Sequence, residues 1–517
     1  MNTHIPMLPG ECWWGGTVIH GDQMPFTETT ELGWDMRSLN GIVNQTMPLL
    51  LSSKGRYIWS EEPFAYTFHQ GIIEIEGTSI ELTEAGSTLK EAYLAAMKAH
   101  FPFDGKRLPD VFFETAQYNG WMQFMYDPTQ EGVLEYARSI IRHGFTPGVL
   151  MIDEGWQKDY GDWSFDPVKF PDPRAMTDEL HALGFQVMLW VTPYVTASGF
   201  RYLSLTSFRP AGEPPLLMRN TDGEVSMVHW WNGICATLDF TKEADCRFLD
   251  DQLQILMNEI GIDGFKFDGG SVPRYRDVIN GTPSAEATAE ERNHAWNDFG
   301  RRYTYHEYKD SYRQGGKNMI QRLADKTTTW EGNGINMIVP SSLVQGLMGT
   351  PFICPDMIGG GEWSFFKYKL HGQMDQELFV RMAQCSVFLP MMQFSLAPWQ
   401  YLDDKHLSIC LHMAKLHAEL APYLLELVHA SETSGEPIVR HLEYQFPGQG
   451  YAQCNDCFML GDRYLVAPVV QKGAVSRTLT LPEGQWKYVD GTIHQGGTIT
   501  VDAPLEVLPY FERVSSN

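Results

Sequence analysis

The chain reads as an α/β protein: a (β/α)8 TIM barrel with an N-terminal antiparallel β domain and a C-terminal β-sandwich. Three observations predict it. From roughly residue 110 to 440, compact apolar runs alternate with amphipathic segments of helical period, the pattern of repeated βα units around a parallel sheet. Before and after that stretch the period falls to two, with Gly and Ser-Ser punctuation, as in antiparallel strands joined by turns. Finally, 517 residues exceed what one core usually serves, so two or three domains are expected.

Taken in order, residues 1–100 form the first domain, with alternating stretches such as "FAYTFHQGIIEIEGTSIEL". A helix, "STLKEAYLAAMKAH", and a linker, "FPFDGKRLPD", lead into a barrel over 101–440. Its candidate strands are "VFFETAQYN", "PGVLMIDEGW", "FQVMLWVTPYV", "DGFKFDGG", "NMIQRLADK", "PFICPDMIGG", "MMQFSLAP" and "GEPIVRHLE". Helix candidates lie between most of them, among them "EGVLEYARSIIRHG", "DPRAMTDELHALG", "KEADCRFLDDQLQILMNEIG" and "DQELFVRMAQCSVFL". On the last of these, Glu377 and Arg381 have the spacing of a local ion pair. A long interruption near 196–240, holding "FRPAGEPPLL" and "VHWWNG", follows the third strand; such insertions usually shape a site. Trp230 and Trp231 there either line an entrance or pack the insertion. Residues 441–517 return to short strands and turns and form the C-terminal β-sandwich.

Composition narrows the function classes. A net charge of −25, from 39 basic and 64 acidic residues without a long basic run, disfavours nucleic acid and anionic membranes as partners. The first residues, "MNTHIPMLPGECWWGG", lack a basic segment followed by an apolar one, and no long apolar run is present, so a cytoplasmic protein is expected. The eight cysteines are too sparse for a disulfide scaffold, and reduced thiols are expected. Cys454 and Cys457 form a lone CxxC without the two further ligands a zinc site needs. A homo-oligomer is compatible with the sequence. The 15 Trp, 22 Tyr and 28 Phe suit a large core or platforms for flat ligand faces; composition does not decide between them.

"GIDGFKFDGG" (261–270) is the informative strand. In an extended chain Phe265 and Phe267 share one face, and Lys266 and Asp268 the other. Opposite charges on one face of an apolar strand suit a buried ion pair or an active site. Gly269 and Gly270 end the strand and leave space beside Asp268. Barrels of this class carry their chemistry at the C-terminal ends of the strands. Those ends read Asp153, Glu154 and Trp156, then Trp190 and Tyr194, then Lys266 and Asp268. Arg322, Asp325 and Lys326 follow on the fifth candidate strand, and Asp356 on the sixth.

A lone Asp is most often a helix N-cap. Asp153, Asp268, Asp325 and Asp356 recur at equivalent places, and Gly-rich or long segments separate them from the next helices. A hard metal site is one use for convergent acids. Lys266, Arg322 and Lys326 among the acids, with aromatics alongside, fit sugar hydroxyls and ring faces better. Cleaving a glycoside requires an ionised carboxylate at the anomeric carbon and a protonated acid at the leaving oxygen. Lys266 would keep Asp268 ionised for the first role, or merely neutralise a buried Asp. Asp325 would take the second role, its proton held by burial or by the nearby charge of Asp268.

These motifs resemble family 31 of the glycoside hydrolases. "MIDEGWQKDYGDWSFDPVKFPDPRAMTDELHALGFQVMLWVTPYV" is similar to the second and third barrel strands of that family, and "ATLDFTKEADCRFL" to the segment before its fourth unit. "GIDGFKFDGG" is similar to its nucleophile strand, and "PFICPDMIGGGEW" to its Asp-Ile-Gly-Gly strand. The resemblance covers about 100–517, and the Lys-Phe-Asp strand, "RLADK" with its following Trp and "PDMIGG" resemble a branch that includes bacterial α-galactosidases. It implies Asp268 as nucleophile and Asp325 as acid/base. Asp153 and Asp356 would hold sugar hydroxyls, Lys266 and Arg322 would border the subsite, and Trp190 and Trp330 would wall it. "ECWWGG" (11–16) resembles an aromatic loop reaching the site, so that Trp13 or Trp14 touches the sugar or the loop only packs.

The resemblance further implies a retaining, exo-acting α-glycoside hydrolase, an α-galactosidase first, with no cofactor or metal and a small carbohydrate as its partner. Glucoside, xyloside or N-acetylgalactosaminide specificity, transglycosylation, or sugar binding without catalysis are the alternatives. Two departures stand out. Gly270 occupies a position where many relatives carry an acid. The N-terminal domain is short and a second C-terminal sandwich is missing, so extended polysaccharides are not the expected substrate.

Overall fold

The computed structural model describes residues 2–207 and 212–514. At its centre lies a parallel barrel. Its strands are β1 (Gln117–Asn119), β2 (Val149–Ile152), β3 (Gln186–Val191), β4 (Gly264–Phe267), β5 (Tyr305–Tyr308), β6 (Ile320–Arg322), β7 (Ile353–Cys354, resuming at Met357–Ile358) and β8 (Gln393–Phe394). Neighbours pair in parallel from β1 through to β6, and β8 pairs with β1. β7 is broken in two: its first half pairs with β6 and its second with β8. Asp356 occupies the break at φ 85°, a backbone angle that non-glycine residues seldom adopt.

The fifth strand corrects the sequence reading. Tyr305–Tyr308 pairs with β4 on one side and β6 on the other. "NMIQRLADK", "PFICPDMIGG" and "MMQFSLAP" therefore supply β6, β7 and β8. "GEPIVRHLE" is not a barrel strand, because Val439–Arg440 pairs antiparallel with Phe458–Leu460 in the C-terminal sheet. The physical reason is local. β5 carries His306 and Glu307, both fully buried, so it lacks an apolar run, and residues 309–319 contain no helix to mark the unit.

The other units are marked by chemistry at the helix starts. Thr129, Asp172 and Asp375 each accept a backbone N–H from the first turn of the helix they precede, satisfying donors that the helix cannot pair internally. Thr288 and Glu291 form a reciprocal capping box at Ala289–Gly300. On β4 the alternation holds as expected. Phe265 and Phe267 turn outward onto Phe299 and Tyr303 or Trp296, while Lys266 turns inward. Burying each of these rings contributes roughly 1.5–3 kcal/mol.

The insertion after β3 folds as a small antiparallel sheet of Tyr194–Thr196, Gly233–Thr237 and Met227–Trp230. Residues 208–211, which open "FRPAGEPPLL", lie outside the described residues. The N-terminal strands form two antiparallel sheets. One of these receives Ser311–Tyr312, from the β5–β6 connection, in parallel against Gln45–Thr46. The C-terminal strands form one six-stranded sheet. Arg381 does not pair with Glu377. It is buried and donates to the carbonyls of Ala474 and Ala503, while Glu377 accepts the amide of Gly473. Both residues thus fasten the barrel to the C-terminal domain.

Cys454 and Cys457 are joined in a disulfide, contrary to the expected reduced thiols; the other six cysteines are free and buried. Among the described residues no helix is long and apolar enough to cross a membrane.

Candidate active site

A cavity of about 350 Å³ opens at the C-terminal ends of the barrel strands. Its floor is charged. Asp268 follows β4, Lys309 follows β5, and Arg322 and Asp325 come from β6 and the loop after it. Lys309 Nζ lies 3.4 Å from Asp268 Oδ1 and 3.6 Å from Asp325 Oδ2, so the two carboxylates share one ammonium. Asp268 also accepts from Trp190 Nε1 at 3.1 Å and from the Gly269 amide at 2.8 Å. Its side chain is 8% exposed, against 31% for Asp325. The inner acid is thus held from several sides, and the outer one faces the cavity.

Arg322 lies behind Asp325. Its Nη1 donates to Asp325 Oδ1 at 2.8 Å and to Asp356 Oδ1 at 2.5 Å, and its Nε lies 3.4 Å from Glu307 Oε1. Asp356 also accepts the Lys326 amide at 2.7 Å. Asp356 therefore lies outside the cavity lining and braces Arg322, rather than reaching for sugar hydroxyls as expected. The two hydrogen bonds hold it at the broken point of β7. Lys266 Nζ donates to Asp153 Oδ2 at 2.5 Å, and both residues line the cavity. The expected Lys266–Asp268 pairing is therefore replaced. Lys266 faces across to β2, and the ammonium beside Asp268 comes from β5.

These contacts set the protonation states. Burial pushes the Asp268 carboxyl up, but Lys309 above all, then Lys266 and Arg322, outweigh it and hold it below the ordinary carboxylate range. Burial works the same way on Asp325, and Lys309 and Arg322 again outweigh it, holding that carboxyl well below the usual range. That direction is opposite to the expected one, in which burial or Asp268 would keep the Asp325 proton. Burial opposes the charge on Lys309, but Asp268 and Asp325 raise its ammonium well above the ordinary lysine range. With Lys266 and Arg322, it supplies positive charge that a metal ion would otherwise bring to so many acids.

The walls are aromatic. Trp190 and Trp231 pack against each other in the lining, and Trp121, Tyr126 and Trp363 form a second cluster of rings there. Trp231 lies under the Lys309 ammonium, 5.7 Å from it. Glu154, beside Asp153, accepts from Tyr160 Oη at 2.6 Å, from Trp231 Nε1 at 3.2 Å, and from Asn232 Nδ2. Burial, with Asp153 and Asp268 adding, pushes the Glu154 carboxyl up to about 7.

Trp14 and Trp330 are not among the lining residues, and for Trp14 the packing alternative is the one seen. Trp14 is 1% exposed, in the N-terminal core against His441, far enough inside that its ring is not part of the lining. Trp330 turns its indole N–H to Asp375 Oδ2 at 3.1 Å and does not line the cavity either. Asp153, Trp190, Lys266, Asp268, Arg322 and Asp325 do come together. Lys309 went unread because β5 went unread, although "YHEYKD" repeats the strand-end pairing of a lysine with an aspartate. Trp121, Tyr126 and Trp363 come from loops with no periodic signal.

The structure thus defines a barrel enzyme-type site of two carboxylates around one ammonium inside an aromatic cleft. Residues 115–427 match the model of the glycosyl hydrolases family 31 TIM-barrel domain, and residues 435–516 that of the family 31 C-terminal domain. The chain belongs to glycosyl hydrolase family 31. It is 35% identical over 407 residues to the myogenesis-regulating glycosidase of Mus musculus, covering 75% of this chain and 54% of that protein. It is 26% identical to a 1,3-alpha-isomaltosidase of Kribbella flavida, covering 68% and 51%. The chain therefore spans about half the length of these curated relatives. A Flavobacterium johnsoniae GH31 dextranase complexed with glucose superposes with a TM-score of 0.81 at 20% identity, covering 99% of this chain and 66% of that one; this likeness concerns the fold.

Proposed function

We propose that the protein is a retaining, exo-acting α-glycoside hydrolase that removes a terminal α-linked galactose. The observation that carries the reaction type is the pairing of Asp268 and Asp325 around Lys309 at the floor of the cleft. Carboxylates about 5–5.5 Å apart suit double displacement, since a wider gap is needed to admit a nucleophilic water. In the first half-reaction an Asp268 oxygen bonds to the anomeric carbon as the glycosidic C–O bond breaks. The bond's electron pair goes to the leaving oxygen, which takes a proton from Asp325. In the second, water gives that proton back to Asp325, its oxygen bonds to the anomeric carbon, and the ester to Asp268 breaks. Lys266, Asp153 and Arg322 bind hydroxyls, and Trp190 meets an apolar ring face.

The choice of galactose rests on the similarity of the Lys-Phe-Asp strand, "RLADK" with its following Trp and "PDMIGG" to the α-galactosidase branch. Glucosides, xylosides and N-acetylgalactosaminides are the competing substrates, and a sugar acceptor in place of water would make the enzyme a transglycosylase. A panel of nitrophenyl α-glycosides with the wild-type protein and Asp268→Ala tests both levels. The wild type should prefer the α-galactoside and release an α-anomer first, seen by proton NMR. Asp268→Ala should lose at least about 10³-fold in kcat. Near-wild-type turnover by Asp268→Ala would reject the nucleophile; preference for another sugar would reject the specificity alone.

A further inference from the structure

We propose that Lys309 is the charge pivot of the reaction: one ammonium that offsets the single negative charge the two carboxylates exchange, paired with Asp268 before attack and with Asp325 in the glycosyl-enzyme. The inference rests on the double-displacement reading above. It starts from geometry that the sequence did not disclose. Lys309 Nζ is 3.4 Å from an oxygen of Asp268 and 3.6 Å from an oxygen of Asp325, within ion-pair reach of both and equidistant to within a few tenths of an ångström.

The charge count follows from the chemistry. Ready for attack, Asp268 is an anion and Asp325 has taken up a proton against the pull of Lys309 and Arg322, so the pair holds one negative charge. When the anomeric carbon bonds to Asp268, that carboxylate becomes a neutral ester, and Asp325, having given its proton to the leaving oxygen, becomes the anion. Water then reverses both changes. The pair's charge is constant while its location moves from one side of Lys309 to the other. A cation at the midpoint therefore loses no partner in either half-reaction and needs no reorganisation, which is the economy of a preorganised site.

The protein holds Lys309 in place from three directions. Its side chain lies over the Trp231 ring, which Glu154 fixes by accepting the indole N–H. Its carbonyl accepts Asn44 Nδ2 at 2.9 Å and Gln45 Nε2 at 2.6 Å, both from the N-terminal domain. Its neighbour Asp310 accepts the Asn44 amide at 3.1 Å. Facing groups on the packed elements are Asp268 from β4, Arg322 and Asp325 from β6, Lys266 from β4, and Glu154 beside β2. Arg322 is already engaged by Asp356 and Glu307, and Lys266 by Asp153, so neither moves to replace Lys309. Both carboxyls are held low chiefly by Lys309, in agreement with the geometry.

The test compares Lys309→Met, which keeps length and packing, with Lys309→Arg, which keeps the charge. In kcat/KM against pH, the acid limb reports Asp268 and the basic limb Asp325. Losing a cation raises both, so Lys309→Met should move both limbs upward by about 1–3 pH units and lower both half-reaction rates by about 10²-fold. Lys309→Arg should restore most of the profile. A merely structural role would lower the amplitude without moving the limbs, and a role confined to one carboxyl would move one limb; either outcome overturns the pivot. The titration is also read without turnover, by infrared difference spectra of the carboxyl band assigned with Asp268→Asn and Asp325→Asn. If wild type hydrolyses no glycoside while Lys309→Met raises both carboxyl titrations, the proposed reaction falls and the shared cation stands; if neither titration moves, the pivot falls whatever the activity.

Discussion

Glu154 shows how much one side chain's surroundings alter its chemistry. It is an acid in a cleft beside two other acids, and burial raises its carboxyl from an ordinary 4.5 to about 7. The folded state thus binds a proton there more tightly than the unfolded chain does. That preference stabilises the fold fully below about pH 4.5 and is lost as pH rises to about 7. The linked free energy is on the order of 3 kcal/mol at most. Glu154→Gln keeps an acceptor for Tyr160 and Trp231 and removes the titration. Its thermal unfolding should show a flatter dependence between pH 5 and 7 than wild type, and relatively higher stability at pH 8 (about 1–3 kcal/mol). Equal slopes in the two proteins would exclude a raised Glu154. Asp245 and Asp310, each pushed up to about 6 by burial, titrate in the same window, so the wild-type slope should fall without vanishing.

At the scale of elements, the strand ends decide what the cleft can hold. β4 stops at Gly269 and Gly270, both at positive φ, and the chain must turn there beside Asp268. A Cβ on Gly270 would stand 2.5 Å from the Trp296 ring, and on Gly269 2.6 Å from Tyr194. Trp296 fills the space beside Gly270. Gly270→Asp is therefore expected to destabilise the protein by at least about 2 kcal/mol, read by urea unfolding, through strain at φ and the displaced ring. Gly270→Ala should suffer most of the same loss, because the Cβ alone makes the contact. Wild-type stability in the alanine variant would show that the turn relaxes freely. β5 teaches a different lesson. It bears buried polar groups on a strand and continues into a segment paired with another domain, so neither apolar period nor a following helix marks it.

For the molecule as a whole, the N-terminal domain is part of the site's support. Ser311–Tyr312 joins its sheet, and the buried Gln45 amide donates to the carbonyls of both Lys309 and Arg322, the latter at 2.7 Å. One side chain from the first domain thus spans two barrel strands that carry the site's cations. Gln45→Ala would leave the Arg322 carbonyl without that donor and loosen Lys309. We expect a loss of about 2 kcal/mol in denaturant unfolding and a fall of roughly tenfold in kcat, with KM nearly unchanged. A loss of stability with full kcat would show that the domain supports the barrel but not the chemistry. On the opposite side Arg381 and Glu377 tie the C-terminal sheet to the barrel, so both flanking domains are held by polar contacts to barrel elements.

The amino-acid order alone determined the fold class, the family resemblance and the two aspartates of the site. Period, glycine turns and strand-end acids are local features, and local features are written in consecutive residues. Which cation serves which acid was decided only in three dimensions. Lys266 and Asp268 share a strand face, yet the barrel's curvature delivers Lys266 to Asp153 and brings Lys309 from the next strand between Asp268 and Asp325. The same holds for Trp14, Trp330 and Asp356, which packing turns away from the cleft. An ion pair depends on distances across strands, and those distances exist only after the sheet has closed.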